Sequence, residues 1–194
     1  MSQRAIVMFP TGEGLAAIES IRRRHDPQAS LIGAHVSLVF PFQSELSVSA
    51  LRAHLADCLR GVTPFHARFD NVTAADGEYV FLEPTRGGEQ MVALHGRLHT
   101  GVLKEHLSAV HQYLPHVTLG RIPDAKQRAT ALANIRRESP SIEALLGEVV
   151  PWSSLIDCQH ETRYVGCDDA AGHAGSRLLG VRAPSARLWP ALHP

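Results

Sequence analysis

The sequence predicts one domain built from two similar halves, roughly residues 1–73 and 78–167, each mixing strands and helices, with a tail over 168–194. Three observations carry this. The tetrapeptide His35-Val36-Ser37-Leu38 returns almost unchanged as His116-Val117-Thr118-Leu119, and an internal repeat is the first thing to look for in an unfamiliar chain. The same order of strand, helix, strand, helix, strand surrounds each copy. Finally, 194 residues with 44% hydrophobic and 20% charged content suit one ordinary globular domain.

The first half opens with Ala5–Phe9, an apolar run of buried-strand type. Thr11 is positioned to cap a helix that buries Leu15, Ile18 and Ile21. Ala34–Phe40 forms the strand of the first motif. Ser47 caps a helix with Leu51, Leu55 and Leu59 on one face. Phe65, Ala67 and Phe69 alternate with His66, Arg68 and Asp70, the mark of a half-exposed strand. Ala75-Asp76-Gly77 is a turn, and the order then repeats. Glu78–Glu83 is a strand. Met91, Leu94, Leu98 and Val102 mark a helix weakened by Gly96 and Gly101. His116–Arg121 is the second motif strand. Asp124 caps a helix through Ala129 and Leu132 that ends at Ser139-Pro140. Glu143–Trp152 reads as one strand, and Ser154–Cys158 and Thr162–Cys167 as two more. Asp168–Pro194, rich in Ala, Gly, Arg and Pro, reads as a flexible tail or a loosely docked strap.

Composition narrows the function. Nineteen basic and nineteen acidic residues cancel, which disfavours long duplex nucleic acid as a partner but leaves room for a small or end-only nucleic-acid ligand. No apolar run approaches the ~20 residues of a membrane span. The start, MSQRAIVMF, lacks a signal-peptide pattern. Cys58, Cys158 and Cys167 are odd in number, widely spaced and without a CxxC pair. A cytoplasmic protein with free thiols is expected.

The motif carries the chemistry. On a strand, residues i and i+2 share a face. His35 and Ser37 therefore point one way and Val36 and Leu38 the other; His116 and Thr118 oppose Val117 and Leu119 likewise. If a pseudo-twofold relates the halves, two imidazoles and two hydroxyls meet across one groove. That set suits in-line displacement at phosphorus. One imidazole takes the proton of the attacking water, and the other protonates the departing oxygen. The hydroxyls hydrogen-bond the non-bridging oxygens, where charge accumulates. Chance supplies roughly 0.3 His-apolar-hydroxyl-apolar tetrapeptides in such a chain, so the paired occurrence is the signal. A looser third match, His106-Leu107-Ser108-Ala109, continues a helical pattern and ends in Ala.

These motifs, with their neighbourhoods Ile32–Phe42 and Leu114–Arg121, resemble the 2H phosphoesterase superfamily, specifically the 2′-5′ RNA ligase-like and RNA 2′,3′-cyclic phosphodiesterase group. The resemblance covers roughly residues 4–167. The Asp168-Asp169 start of the tail has no counterpart in it. It implies a bilobal α+β fold, with two antiparallel sheets and flanking helices around a central cleft. It also implies metal-independent opening of 2′,3′-cyclic phosphates and, in some members, reversible 2′-5′ ligation of RNA ends. His35 and His116 match the family's catalytic positions, and Ser37 and Thr118 the phosphate-binding ones. The resemblance favours His35 as proton donor to the leaving oxygen and His116 as the base. Phe40 and Arg121, each five residues beyond its histidine, are expected to flank the cleft mouth and bind substrate, by stacking on a base or holding a phosphate. Strict alternation would turn both away from the histidines, so this requires the strand ends to twist or bend.

Other features are read as structural. His95, His99 and His106 share a helical face, but with no Cys or carboxylate in step they form a polar face rather than a metal site. Arg22-Arg23-Arg24-His25 complements a helix dipole. His111 and Tyr113 lie close enough to the second motif to line the cleft or pack in its loop. No GxGxxG, P-loop, GxSxG or HExxH is present, so any ligase activity would proceed without ATP. The expected protein is a cytoplasmic, monomeric phosphoesterase without cofactor or metal, acting on RNA ends or a small cyclic nucleotide. Its rivals are a non-catalytic RNA-end binding module that keeps the cleft and a metal hydrolase using the His-rich helix.

Overall fold

The computed structural model describes residues 2–75, 77–109 and 112–153. The strands expected at 154–158 and 162–167, the tail, His111, Cys158 and Cys167 lie outside them. The elements are β1 (Ser2–Met8), β2 (Thr11–Glu13), α1 (Leu15–His25), β3 (Val36–Ser44), α2 (Val48–Cys58), β4 (Phe65–Ala75), β5 (Tyr79–Arg86) and α3 (Gly88–Leu98). A 3-10 helix (Gly101–His106), β6 (Val117–Arg121), α4 (Ala125–Glu138), β7 (Ile142–Leu146) and β8 (Val149–Ser153) follow.

Most elements arise where local chemistry placed them. Ser47 and Asp124 cap α2 and α4, accepting the backbone N–H of Ala50 and Gln127. Thr11 is not a cap. It lies in β2, which pairs with β7, and its hydroxyl donates to the Leu145 carbonyl. The residue before α1 is Gly14, at φ 92°. A Cβ there would meet the Ser141 carbonyl oxygen at 2.0 Å, so only glycine brings the chain this close to β7. Val102 is not on α3 either. The helix ends at Leu98 and Gly101 turns the chain at φ 47°, leaving Val102 exposed in the 3-10 helix.

The strands order as β2-β7-β4-β5-β6-β3-β1-β8, with antiparallel pairing throughout. One pair, Val36 with Val117, joins β3 to β6. The sheet thus reads as two antiparallel ladders meeting at the motif strands. Each ladder draws on both sequence halves: β4 pairs with β5, and β8 with β1. The expected 143–152 strand breaks at Gly147-Glu148 into β7 and β8, which sit far apart in the strand order. Three residue steps reach at most about 11 Å, so the sheet must curl to bring those two strand ends together.

The helices cover one face. Val36, Leu38, Val117 and Leu119, all at most 1% exposed, pack with Ile18 and Ile21 of α1, Leu51 and Leu55 of α2, and Met91, Leu94 and Leu98 of α3. Each motif strand is backed by a helix from the other half: α1 lies against β6 and α3 against β3. Gly120 permits the first of these contacts, since a Cβ there would lie 2.8 Å from that of His25. No helix among the described residues is long and apolar enough to cross a membrane.

Candidate active site

The polar faces of the two motifs line one cleft of about 330 Å³, which holds His35, Ser37, His116 and Thr118 together. The expected alternation is present: these four are half-buried while Val36, Leu38, Val117 and Leu119 are buried. The Val36–Val117 pair sets the geometry. Continued by one residue, its register faces His35 with Thr118 and Ser37 with His116. The two histidines become diagonal neighbours, which in a sheet lie about 7–8 Å apart. That spacing seats one phosphate between two imidazoles, with a hydroxyl from each strand beside it.

Both rings are oriented in the same way. His35 Nδ1 bonds to the Gly33 carbonyl at 2.9 Å and His116 Nδ1 to the Leu114 carbonyl at 2.7 Å, each two residues upstream. A carbonyl only accepts, so Nδ1 carries the proton in each case and Nε2 is the ring atom left to exchange one with a substrate.

The surroundings differ. Phe81 stacks on His116 with ring centroids 3.6 Å apart, and Tyr79 stacks on Phe81 at 5.8 Å. Behind His35 lies a buried ionic network. Arg22, 1% exposed, bonds Asp26 through Nη2 at 2.8 Å and Nε at 3.2 Å, Glu19 at 3.1 Å and the Ile32 carbonyl at 3.0 Å. Glu19 in turn accepts the Ala34 N–H. The network fastens the 26–34 loop to α1 and so fixes the carbonyl that orients His35. Burial, first, holds the His35 imidazolium below the ordinary 6.5; the Gly33 carbonyl opposes this, Arg22 and His116 add to it, and Asp26 opposes it.

Phe40 lines the cleft, 43% exposed, and the bend it requires is present. Val7 pairs with Ser37 and Ile6 with Val39, so β3 carries an extra residue at Leu38; a second follows between Val39 and Phe42, because Phe42 pairs with Arg4. The first bulge resets the alternation and turns Phe40 to the side of Ser37. Strand β6 does the same: Phe81 pairs with Thr118 and Val80 with Gly120, with Leu119 extra. Arg121 is thereby turned to the side of Thr118. It does not line the cleft, however. Its Nε donates to Glu78 at 2.8 Å, its guanidinium lies 5.8 Å from the centre of the Tyr79 ring, and it borders a neighbouring groove with Arg24, His25 and Lys126.

The His-rich helix is not a polar outer face. His95 Nδ1 bonds the Leu38 carbonyl, His99, 6% exposed, bonds the His95 carbonyl, and His106 packs its ring on Phe42. Each ring satisfies backbone or fills space. Among the described residues no group of three or more His, Cys, Asp or Glu side chains is placed to hold a metal ion. In the basic cluster at the end of α1, Arg22 turns inward and Arg24 pairs with Glu138. Sequence reasoning missed the rings of Tyr79 and Phe81 and the Arg22 network. The first was available in the spacing, since residues 79 and 81 share a strand face; of the second, Glu19 and Asp26 stand at helical spacing from Arg22, while the Ile32 carbonyl has no local signal.

The 2′-5′ RNA ligase superfamily model matches residues 10–155, three quarters of the chain and both motifs. The chain belongs to that superfamily. A Bacillus licheniformis protein provisionally named a phosphoesterase is 28% identical over 146 residues, covering 73% of this chain and 83% of its own. A Geobacillus protein, named in the same way, is 30% identical over 131 residues, 62% of this chain and 70% of its own. Among solved structures, E. coli LigT complexed with 3′-AMP matches with TM-score 0.52 at 14% identity, covering 84% of this chain and 94% of that one. LigT in its apo form matches at 0.51 and 15%. At such identities the structural likeness concerns the fold, which is the LigT-like α+β fold of the 2H phosphoesterases. This member of the superfamily is a phosphoesterase-type enzyme.

Proposed function

We propose that this 2H phosphoesterase opens 2′,3′-cyclic phosphates at RNA ends or on small nucleotides, without a metal or cofactor. The observation that carries the reading is the meeting of His35, Ser37, His116 and Thr118 in one cleft on either side of the Val36–Val117 pair. A cyclic phosphate seated between the rings presents its two non-bridging oxygens to the Ser37 and Thr118 hydroxyls. One imidazole takes a proton from water as the oxygen attacks phosphorus. The bond to the departing ribose oxygen breaks opposite the attack, and the other imidazolium protonates that oxygen. The product is a phosphomonoester. With the hydroxyl of a second RNA end in place of water, the same steps open the ring to a 2′-5′ phosphodiester without ATP: the bond from phosphorus to the 3′ oxygen breaks and that oxygen takes the proton.

Family likeness favours His35 as the proton donor. In the empty cleft its lowered pKa leaves it neutral, the state from which a base starts. A bound phosphate anion favours the imidazolium, so the substrate itself prepares His35 to donate. Phe40, beside the cleft, stacks on a nucleobase; Arg121, at the Tyr79 edge, meets the strand beyond it.

The decisive experiment is a product assay with 2′,3′-cyclic nucleotides and cyclic-ended RNA after exhaustive chelation. Conversion to the monoester at full rate is expected. Activity restored only by zinc or manganese would overturn the metal-free chemistry, and binding without turnover would make the protein an RNA-end binding module.

A further inference from the structure

Two side chains outside the proposed chemistry converge on the backbone of β3. His95, in the last turn of α3, and Tyr113, in the segment before β6, stack face to face with centroids 3.9 Å apart and planes 4° from parallel. Each donates one hydrogen bond to a carbonyl. The Tyr113 hydroxyl reaches that of Ser37 at 3.0 Å, and His95 Nδ1 reaches that of Leu38 at 2.8 Å. These consecutive carbonyls sit where β3 carries the first of its two extra residues, the place where a ladder leaves backbone groups without their regular partners. The edge of Tyr113 also meets Phe40, with centroids 6.1 Å apart. Burial raises the Tyr113 pKa, so its hydroxyl keeps the proton it donates.

We propose that His95 and Tyr113 are positioning residues that clamp the β3 bulge and, through it, hold the Ser37 hydroxyl and the Phe40 ring in the cleft. The bulge decides which face Phe40 takes. Slippage of the extra residue would restore plain alternation and carry Phe40 toward the helices. The matching bulge in β6 is held by packing, with Gly120 against His25. The clamp therefore acts on the half of the cleft that carries Phe40. This inference rests on the cyclic-phosphate reading of the cleft for its kinetic consequences, but not for its structural ones.

Three variants test it. Tyr113→Phe keeps the ring stack and removes only the donor. His95→Leu removes its donor, and His95→Asn restores an N–H near the place of Nδ1. Against a nucleoside 2′,3′-cyclic phosphate, Tyr113→Phe and His95→Leu should each raise KM about fivefold to tenfold, the weight of one hydrogen bond, with kcat changed less than about threefold. His95→Asn should stay within about twofold of the parent. The double variant Tyr113→Phe/His95→Leu should fall short of the product of the singles, because both hold one bulge. Amide hydrogen exchange at Val39 and Phe40 should quicken in Tyr113→Phe. Unchanged KM in that variant with unchanged exchange would overturn the clamp, and so would His95→Asn behaving like His95→Leu. If the parent turns over no cyclic phosphate, the functional reading fails while the exchange measurement still decides the clamp.

Discussion

Replacing Arg22 with Met tests whether the ionic network behind His35 shapes the site. The guanidinium is 1% exposed and makes two bonds to Asp26, one ion pair to Glu19 and one bond to the Ile32 carbonyl. Methionine fills much of the volume but none of the bonds. It leaves the Asp26 carboxylate, 4% exposed, without its cation. Removing one partner of such a buried pair costs about 3–5 kcal/mol. For a chain of this size each kcal/mol shifts the melting temperature by about 2–4 °C, so a fall of about 6–20 °C is expected. The charge effect has a definite sign. Arg22 depresses the His35 pKa and Asp26 raises it; losing Arg22 alone must therefore move the His35 titration upward. The double variant Arg22→Met/Asp26→Leu removes both charges, and should recover most of the stability and return His35 toward its parental titration. Thermal denaturation and NMR titration of the His35 ring read the two effects separately. A melting shift below about 3 °C would refute the structural role. A double variant as unstable as the single would show that packing, not the uncompensated carboxylate, sets the cost.

The remaining predictions concern the cleft and the pH response. His35→Ala and His116→Ala should each lower kcat/KM about 10²–10⁴-fold on a cyclic nucleotide while the protein stays folded, and their combination should be little worse than the worse single. A p-nitrophenyl phosphodiester, whose leaving group needs no proton, should rescue His35→Ala far more than His116→Ala; the reverse pattern would swap acid and base. Ser37→Ala and Thr118→Val should be partial losses of about 10–100-fold, each removing one hydrogen bond to a charged phosphate; losses as deep as those of the histidines would give the hydroxyls a larger part. Burial lowers the pKa of His25, His35 and His95 in the folded chain. Below their common unfolded value of 6.5 the unfolded chain binds more protons, so stability should fall as pH drops from about 7 to 5. A flat or rising melting temperature over that window would contradict the burial of these rings.

Much of this was legible from spacing. Period-2 alternation put His35 with Ser37 and His116 with Thr118, and the repeated tetrapeptide implied the shared cleft. Ser47 and Asp124 were readable caps because their oxygens serve a local N–H. Thr11 was misread because the nearby glycines, which permit the close approach to β7, outweigh a capping hydroxyl. Alternation alone also sends Phe40 to the wrong face. A bulge is a property of two strands, one carrying a residue that its partner lacks, and neither strand announces it. The strand exchange between halves escapes for the same reason, since pairing partners are not written locally. Arg22 reads with Arg23 and Arg24 as a complement to the helix dipole; the acids Glu19 and Asp26 at three and four residues' distance do not show that the group is buried, and the Ile32 carbonyl becomes a partner only once the 26–34 loop folds back. The histidines of α3 fit a helical face in spacing, but their Nδ1 donors were claimed by carbonyls of β3 and of α3 itself.

Two nearly identical motifs on matching bulged strands would, by symmetry alone, give two interchangeable histidines. The chemistry needs the opposite: one imidazole must start neutral and the other charged. Backbone geometry does not separate them, because each ring donates Nδ1–H to the carbonyl two residues before it. The separation must come from what stands behind each ring. Behind His35 are Arg22 and Asp26, buried charges of both signs whose effects oppose; behind His116 is the face of Phe81, backed by Tyr79 and then Arg121. The first setting responds to charge, the second to the geometry of a stack. Phe81→Leu should accordingly disturb the side of the bell-shaped pH profile that Arg22→Met leaves alone. If both variants moved the same limb, the asymmetry of the two settings would have no part in dividing acid from base, and the division would rest on the substrate alone.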